Sequence, residues 1–421
     1  MTSALLIPGR PNPRCDTVEV WIVEWFREEQ RWHILALLIL LLPLFVWNAR
    51  WDETANPDSE AAAVAAWQLS EKGTLDLSEY EPITENLDTL DIWFVPGRDN
   101  TIVSNRPPGL IGIAFPSYFV GGSSRFSVVP STVTAMVLTM ASLVIVWWLL
   151  RGLTDPKFAT VATGVLALGT TTWAISSAEL WPHGPDQFWA SIALIGLSTR
   201  GFALAGAGFA LCVLTRPITG VFAAVSGIVE AWRQRSTRPA LIIAAVTAVG
   251  VVLLLAYNWV IFGGLSFRGG YSPAVAAGAV ERFTILEYAR NVFSMFVGVP
   301  NGFLLLSPVL GVATFGLIRY WKQVPGWARS GALAALAYLL VHAFFNRASG
   351  GLPVMYRYPL EAITLASAAL GFAAWTMARE SRLGRRFLLV TAVLSIVIQV
   401  YYIFVVSCVV LNPDLNTCFV T

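Results

Sequence analysis

The sequence predicts an all-α integral membrane protein, and three observations carry that prediction. Apolar runs recur from residue 33 to residue 411, with no long polar block after residue 106. Only 13% of the residues are charged and 56% are hydrophobic, whereas a soluble domain carries roughly a quarter charged residues. The charges also segregate. With the N-terminus placed inside, the loops on that side hold 17 of the 28 Lys and Arg but only 8 of the 26 acids, which is the bias that orients membrane spans.

Taken in order, residues 17–32 (TVEVWIVEWFREEQRW) alternate apolar and charged positions at helical spacing. They predict an amphipathic helix on the cytoplasmic face, after a disordered tail. No secretory signal is evident, so 33–49 reads as a retained first span. Further spans are expected at 126–150, 157–177, 186–199, 201–215, 218–231, 239–261, 291–318, 331–345, 359–378 and 387–410, about eleven in all. Segments 201–215 and 218–231 are shorter than the ~20 residues of an upright span. They read as a broken or partly re-entrant pair around Arg216-Pro217. Residues 107–121 (PPGLIGIAFPSYFVG) are apolar but short and proline-interrupted, and are expected as a helix on the outer membrane surface. The chain thus divides into a cytoplasmic tail and interfacial helix (1–32), a membrane domain (33–411) whose first extracytoplasmic loop is 51–125, and a short outer tail (412–421).

The four cysteines (Cys15, Cys212, Cys408, Cys418) show neither metal spacing nor a paired framework, and His33, His183 and His342 lie far apart in sequence. No disulfide, zinc, haem or nucleic-acid partner is expected.

Chemistry is expected in the first outer loop. Asp52, Glu53, Asp58 and Glu60 fall within nine residues just past the first span, where a carboxylate can meet both a lipid head group and an aqueous acceptor, as a general base must. Asp58 follows Pro57 and precedes the alanine-rich helix 61–73, so it is also placed to accept from the free N–H groups of a first helical turn. The loop ends in SNRPPG (104–109), where Arg106 is of the type that holds a phosphate by two parallel hydrogen bonds, or else an interfacial arginine with its head in water.

Here the sequence resembles the GT-C superfamily of polytopic glycosyltransferases, in particular the bacterial branch near protein mannosyltransferases and the lipid A aminoarabinose transferase. The resemblance spans residues 33–375. PDSEAAAVAAWQLSEKGTLDL (57–77) is similar to the family's acidic motif, helix and loop exit, and SNRPPGL (104–110) to its later Pro-Pro-Gly segment. WPHGPDQ (181–187), LTRPI (214–218), YNWVIFG (257–263) and YRYPL (356–360) resemble further landmarks in the family's order. The resemblance implies a GT-C-like bundle in the plasma (inner) membrane. It also implies inverting transfer of a sugar from a polyprenyl-phosphate donor to an envelope glycan, lipid or protein acceptor on the outer side. In that chemistry a carboxylate takes the acceptor's proton and a cation steadies the departing lipid phosphate. The motif assigns the carboxylate to Asp58, with Asp52 of DET (52–54) as the rival; Arg106, Arg216 and Arg357 are the candidate contacts of the donor phosphate.

Glu60, His183, Asp186 and Tyr271 complete the candidate substrate contacts. For His183 a structural hydrogen bond is the other reading, and for Arg216 a helix C-cap. Arg357 and Glu361 stand four apart, the spacing of a local helix ion pair. Segment 263–272 (GGLSFRGGYS) has the glycines of a mobile lid or of a plain connection. No cofactor is implied, although the loop acids leave room for a divalent ion with oxygen ligands. Two other functions compete: a transporter or flippase for a lipid-linked sugar, and a non-catalytic scaffold. A transporter calls for paired repeats and mid-span charges, and the charges here gather at the outer ends of spans.

Overall fold

The computed structural model describes residues 28–52, 57–84, 92–122, 124–270, 283–345 and 355–406. The expected interfacial helix before residue 28 and the outer tail after residue 406 lie outside the described residues. Helix α1 (Glu28–Asn48) is followed by α2 (Pro57–Lys72), which begins on a proline with Asp58 and Glu60 in its first turn. Proline suits that position because its missing N–H would have no helical partner there. Helix α2 stops at Gly73, whose left-handed φ of 67° a side chain would strain. A short antiparallel hairpin follows, strands β1 (Phe94–Pro96) and β2 (Ile102–Ser104), paired Phe94 to Ser104. Asp99 and Asn100 make its turn at positive φ, which short Asx side chains tolerate better than most residues do.

Helix α3 (Pro108–Gly121) leads into the bundle: α4 (Val129–Arg151), α5 (Pro156–Leu168), α6 (His183–Ser198), α7 (Phe202–Thr215), α8 (Gly220–Gln234), α9 (Arg238–Phe262), α10 (Ile285–Val297), α11 (Pro308–Tyr320), α12 (Gly326–Phe345), α13 (Leu360–Glu380) and α14 (Arg382–Tyr401). Among the described residues, six helices are long and apolar enough to cross a membrane: α1, α4, α9, α12, α13 and α14 with its short extension. Helices α3, α5, α7 and α11 are shorter apolar helices.

Most expected spans coincide with a helix, two are corrected, and the break expected at Arg216-Pro217 is present. Span 291–318 is not continuous: α10 ends at Val297, a single turn occupies Phe303–Leu306, and α11 restarts at Pro308. Gly298, Pro300, Gly302 and Pro308 fall in that stretch, and a helix interior tolerates neither residue type well. Span 157–177 becomes α5 and a π-turn over Thr172–Ser176. The pair around Arg216-Pro217 is two helices joined by a 3-10 turn, Pro217–Thr219, because Pro217 cannot continue α7.

Helix α6 packs on α4, α7 and α13, α7 packs on α9, and α12 lies between α8 and α13. Trp147, Phe209, Phe222, Tyr338 and Tyr356 are fully buried at the centre. The outside is apolar as well. Leu241, Val249, Val252, Leu253 and Val260 of α9, and Leu389, Val390 and Val397 of α14, are more than half exposed; an outer surface of that kind is covered by lipid tails rather than by water.

Candidate active site

The hairpin and α2 together build the first part of the site. The Asn105 N–H donates to Trp93 O (2.8 Å), which fixes Trp93 and Arg106 side by side. Both point at the start of α2. Trp93 Nε1–H donates to Asp58 Oδ1 (2.7 Å), Arg106 Nη1 donates to the same oxygen (3.0 Å), and Arg357 Nη1 donates to Oδ2 (3.2 Å). Residues 35, 48 and 299 positions from Asp58 in sequence therefore converge on one carboxylate. Its side chain is 22% exposed and that of Arg106 only 6%, so both ion pairs lie largely out of water.

Two close approaches hold Arg106 where it is. A Cβ on Gly109 would stand 2.6 Å from the Leu214 carbonyl carbon and 2.8 Å from Thr215 N, so the Pro-Pro-Gly turn seats directly against the backbone at the end of α7. On the other side, Asn105 Oδ1 accepts from Gly270 N (3.0 Å). The described part of the expected lid, 263–270, is thereby tied to the residue before Arg106.

Arg357 is positioned by rings. Its guanidinium lies 4.6 Å from the centroid of Trp181 and 5.3 Å from that of Tyr358, a cation–π arrangement. Trp181 Nε1–H donates to Glu179 Oε1 (2.9 Å), and Ser59 Oγ–H donates to Glu179 Oε2 (2.6 Å). Buried Glu179 thus ties the platform under Arg357 to the residue next to Asp58.

A second polar layer lies beneath. The Arg216 guanidinium donates to Glu361 Oε1, and His183 Nδ1 meets the same oxygen at 2.7 Å. Arg216 Nη2 donates to His342 Nε2 (3.1 Å), and His342 stacks on Tyr358 with centroids 4.3 Å apart. Arg216 also lies 5.4 Å from the Tyr358 ring, so Tyr358 separates the two layers. His183, His342 and Glu361 are buried. Asp186, one turn into α6 and fully buried, interacts electrostatically with Glu361 and Arg216.

Three sequence expectations change here. The local Arg357–Glu361 ion pair is not formed. Helix α13 begins only at Leu360, so the two residues do not share a helical face, and each takes a distant partner. Arg216 is the C-cap residue of α7, but its guanidinium serves Glu361 and His342. His183 and His342, far apart in sequence, meet on Arg216. Of the remaining candidates, Glu60 sits half-buried in the first turn of α2, close enough to Tyr80 to act on its charge. Asp52 is exposed past the end of α1 and takes no part in the contacts around Asp58. Tyr271 lies outside the described residues. Sequence reasoning missed Trp93, Trp181, Tyr358, His342 and the bridging role of Glu179. YRYPL and WPHGPDQ flank or contain three of these, whereas nothing local marked Trp93.

Electrostatics sets the state of Asp58. Burial alone would raise its carboxyl, but the Arg106 and Arg357 guanidiniums and the Trp93 indole outweigh burial and hold it below the usual carboxylate value of 3.8. The acid is ionised and doubly paired. Among the described residues no three His, Cys, Asp or Glu side chains converge as metal ligands would.

No protein-family model and no curated protein matches the chain. Among solved structures, the crystal structure of ArnT from Cupriavidus metallidurans in the apo state matches 85% of this chain with a TM-score of 0.54 at 12% identity. The chain spans 62% of that protein's length. ArnT is an aminoarabinose transferase of the GT-C class, and it is the bundle itself, far more than the sequence, that the two chains share. The chain accordingly has the all-α GT-C fold of that membrane transferase.

Proposed function

We propose that this protein is a glycosyltransferase that moves a sugar from a polyprenyl-phosphate donor to an envelope glycan, lipid or protein acceptor. In this reading the reaction takes place on the extracytoplasmic side of the plasma (inner) membrane, with the N-terminus in the cytoplasm. The observation that carries the reading is the pairing of Asp58 with two arginines, one on each carboxylate oxygen, at the wall of the first loop. A base and two phosphate-binding cations in contact are what inverting transfer from a lipid phosphate needs.

The chemistry follows from the charges. A donor phosphate is a better match for guanidinium forks than one carboxylate is, so its arrival at Arg106 and Arg357 loosens both from Asp58. Freed of those cations, Asp58 becomes a stronger base. It accepts the proton of the acceptor hydroxyl as that oxygen bonds to the anomeric carbon. The bond from that carbon to the phosphate oxygen breaks with its electron pair, and the charge on the departing polyprenyl phosphate settles on the two arginines. No resident metal or other cofactor is assigned a part, because the arginines already meet the leaving charge. Asp58 takes the base role over exposed Asp52, and Glu60, His183 and Asp186 are left as supports rather than substrate contacts.

The test is transfer from a polyprenyl-phosphate-linked sugar by the purified protein in nanodiscs. Wild type and Asp52→Asn should both transfer, and Asp58→Asn should not. Equal rates in all three would remove Asp58 from the chemistry.

A further inference from the structure

Glu361 and Arg357 are four residues apart, yet Arg357 reaches over Trp181 to Asp58 while Glu361 is held by Arg216 and His183. Arg357 nevertheless remains near the lower layer. Its backbone carbonyl accepts from Leu360 N (3.2 Å), its guanidinium acts electrostatically on His183, and its Nε has no hydrogen-bond partner among the described residues. On the Glu361 side, Oε2 is buried and has no hydrogen-bond partner among the described residues either. A fully buried carboxylate must be compensated, and the cation nearest to Glu361 in sequence is Arg357, four residues before it.

We propose that Arg216, with His183, is a positioning residue that occupies Glu361 and so leaves Arg357 free for Asp58 and, on the functional reading above, for the donor phosphate. Glu361 is a latent competitor for Arg357. Removing Arg216 does more than open a gap in the lower layer: it turns Glu361 into a trap that draws Arg357 down past Tyr358. Tyr358 is the wall between the two, with Arg216 and Arg357 each within 5.4 Å of its ring centroid. The arrangement makes an unusual claim about substitutions, namely that a second loss repairs the first.

The test compares Arg216→Gln with Arg216→Gln/Glu361→Gln. The single variant should raise the donor KM on the order of tenfold, with a smaller change in kcat, as expected when coupled neighbours are separated. The double variant should recover most of that loss, since the trap is gone. His183→Gln, which removes the other donor to Glu361, should raise KM by a smaller factor, again reversed by Glu361→Gln, and supplies a second pair should Arg216→Gln fail to fold. A purely structural role predicts that each double variant is at least as impaired as the worse of its singles, and that result would overturn the proposal. A second readout does not depend on the reaction. The coupling of Asp58 to Arg357, measured by thermal unfolding of Asp58→Asn, Arg357→Gln and the double variant, should vanish in the Arg216→Gln background and return with Glu361→Gln. If the wild type transfers no sugar, the functional reading fails, while this cycle still decides the positioning.

Discussion

Replacing Asp58 by Asn separates the two roles this residue holds. Asn keeps the shape and can still accept from Trp93 and Arg106 through its carbonyl, but it removes the proton acceptor and the negative charge between the two arginines. General-base assistance contributes ~10²–10⁴-fold to a rate, so kcat should fall by at least about a hundredfold. The stability change should be smaller than the ~3–5 kcal/mol of breaking a fully buried ion pair, because the Asp58 side chain is 22% exposed and water screens part of the loss. Donor KM should fall or stay level, since Arg106 and Arg357 no longer have a competing carboxylate. Initial rates across donor concentrations in nanodiscs, together with the apparent Tm of each sample, give all three quantities. A variant with normal Tm that retains more than about a tenth of wild-type kcat would refute the base assignment. A raised KM would refute the claim that carboxylate and phosphate compete for the same cations.

Further outcomes follow from the same geometry. With Asp58 held low by its cations in the free protein and released when phosphate takes them, the acidic limb of kcat should lie at higher pH than that of kcat/KM; coincident limbs would show that the cations do not move. The sign for stability is that of a depressed carboxylate. The contribution of the Asp58 pairs is present above the ordinary carboxylate value and is lost as pH falls through the lower folded value, which an acid titration of Tm in wild type but not in Asp58→Asn should reveal. Gly109→Ala forces a Cβ against the Leu214 and Thr215 backbone and should cost about 1–3 kcal/mol, seen as a lower Tm together with a raised donor KM. Transfer should continue in a chelator, because Arg106 and Arg357 supply the charge a divalent ion would bring; full loss restored by one metal would overturn that part of the mechanism.

The bundle was legible because its signal is collective. Span after span of apolar side chains, bounded by segregated charges, states the solvent as well as the fold. Breaks showed wherever Pro and Gly were read as interruptions, as at Pro217. They were missed at 298–308, where the apolar run continues across Gly298, Pro300 and Gly302, so hydropathy alone could not divide α10 from α11. In the site, Asp58 and Arg106 could be singled out because each carries a local mark: an acid opening an alanine-rich helix, and a cation before Pro-Pro-Gly.

Arg357 and Glu361 show why the rest could not be read in this way. Their spacing satisfies the local rule for a helix ion pair, but that rule applies only where both residues lie on one helix, and α13 begins between them. Its first turn puts Glu361 downward toward Arg216 and leaves Arg357 above, on the hairpin side of Tyr358. Which cation each acid receives is therefore decided by where one helix starts and by three segments folded against it from elsewhere in the chain. A pairwise spacing contains neither fact. On the proposal above, the same circumstance makes the site adjustable, because Arg357 then has in Glu361 a second acid to turn to once Arg216 is removed. Tyr358 packs between His342 and the two guanidiniums, and on that proposal its ring is what keeps the two pairings apart.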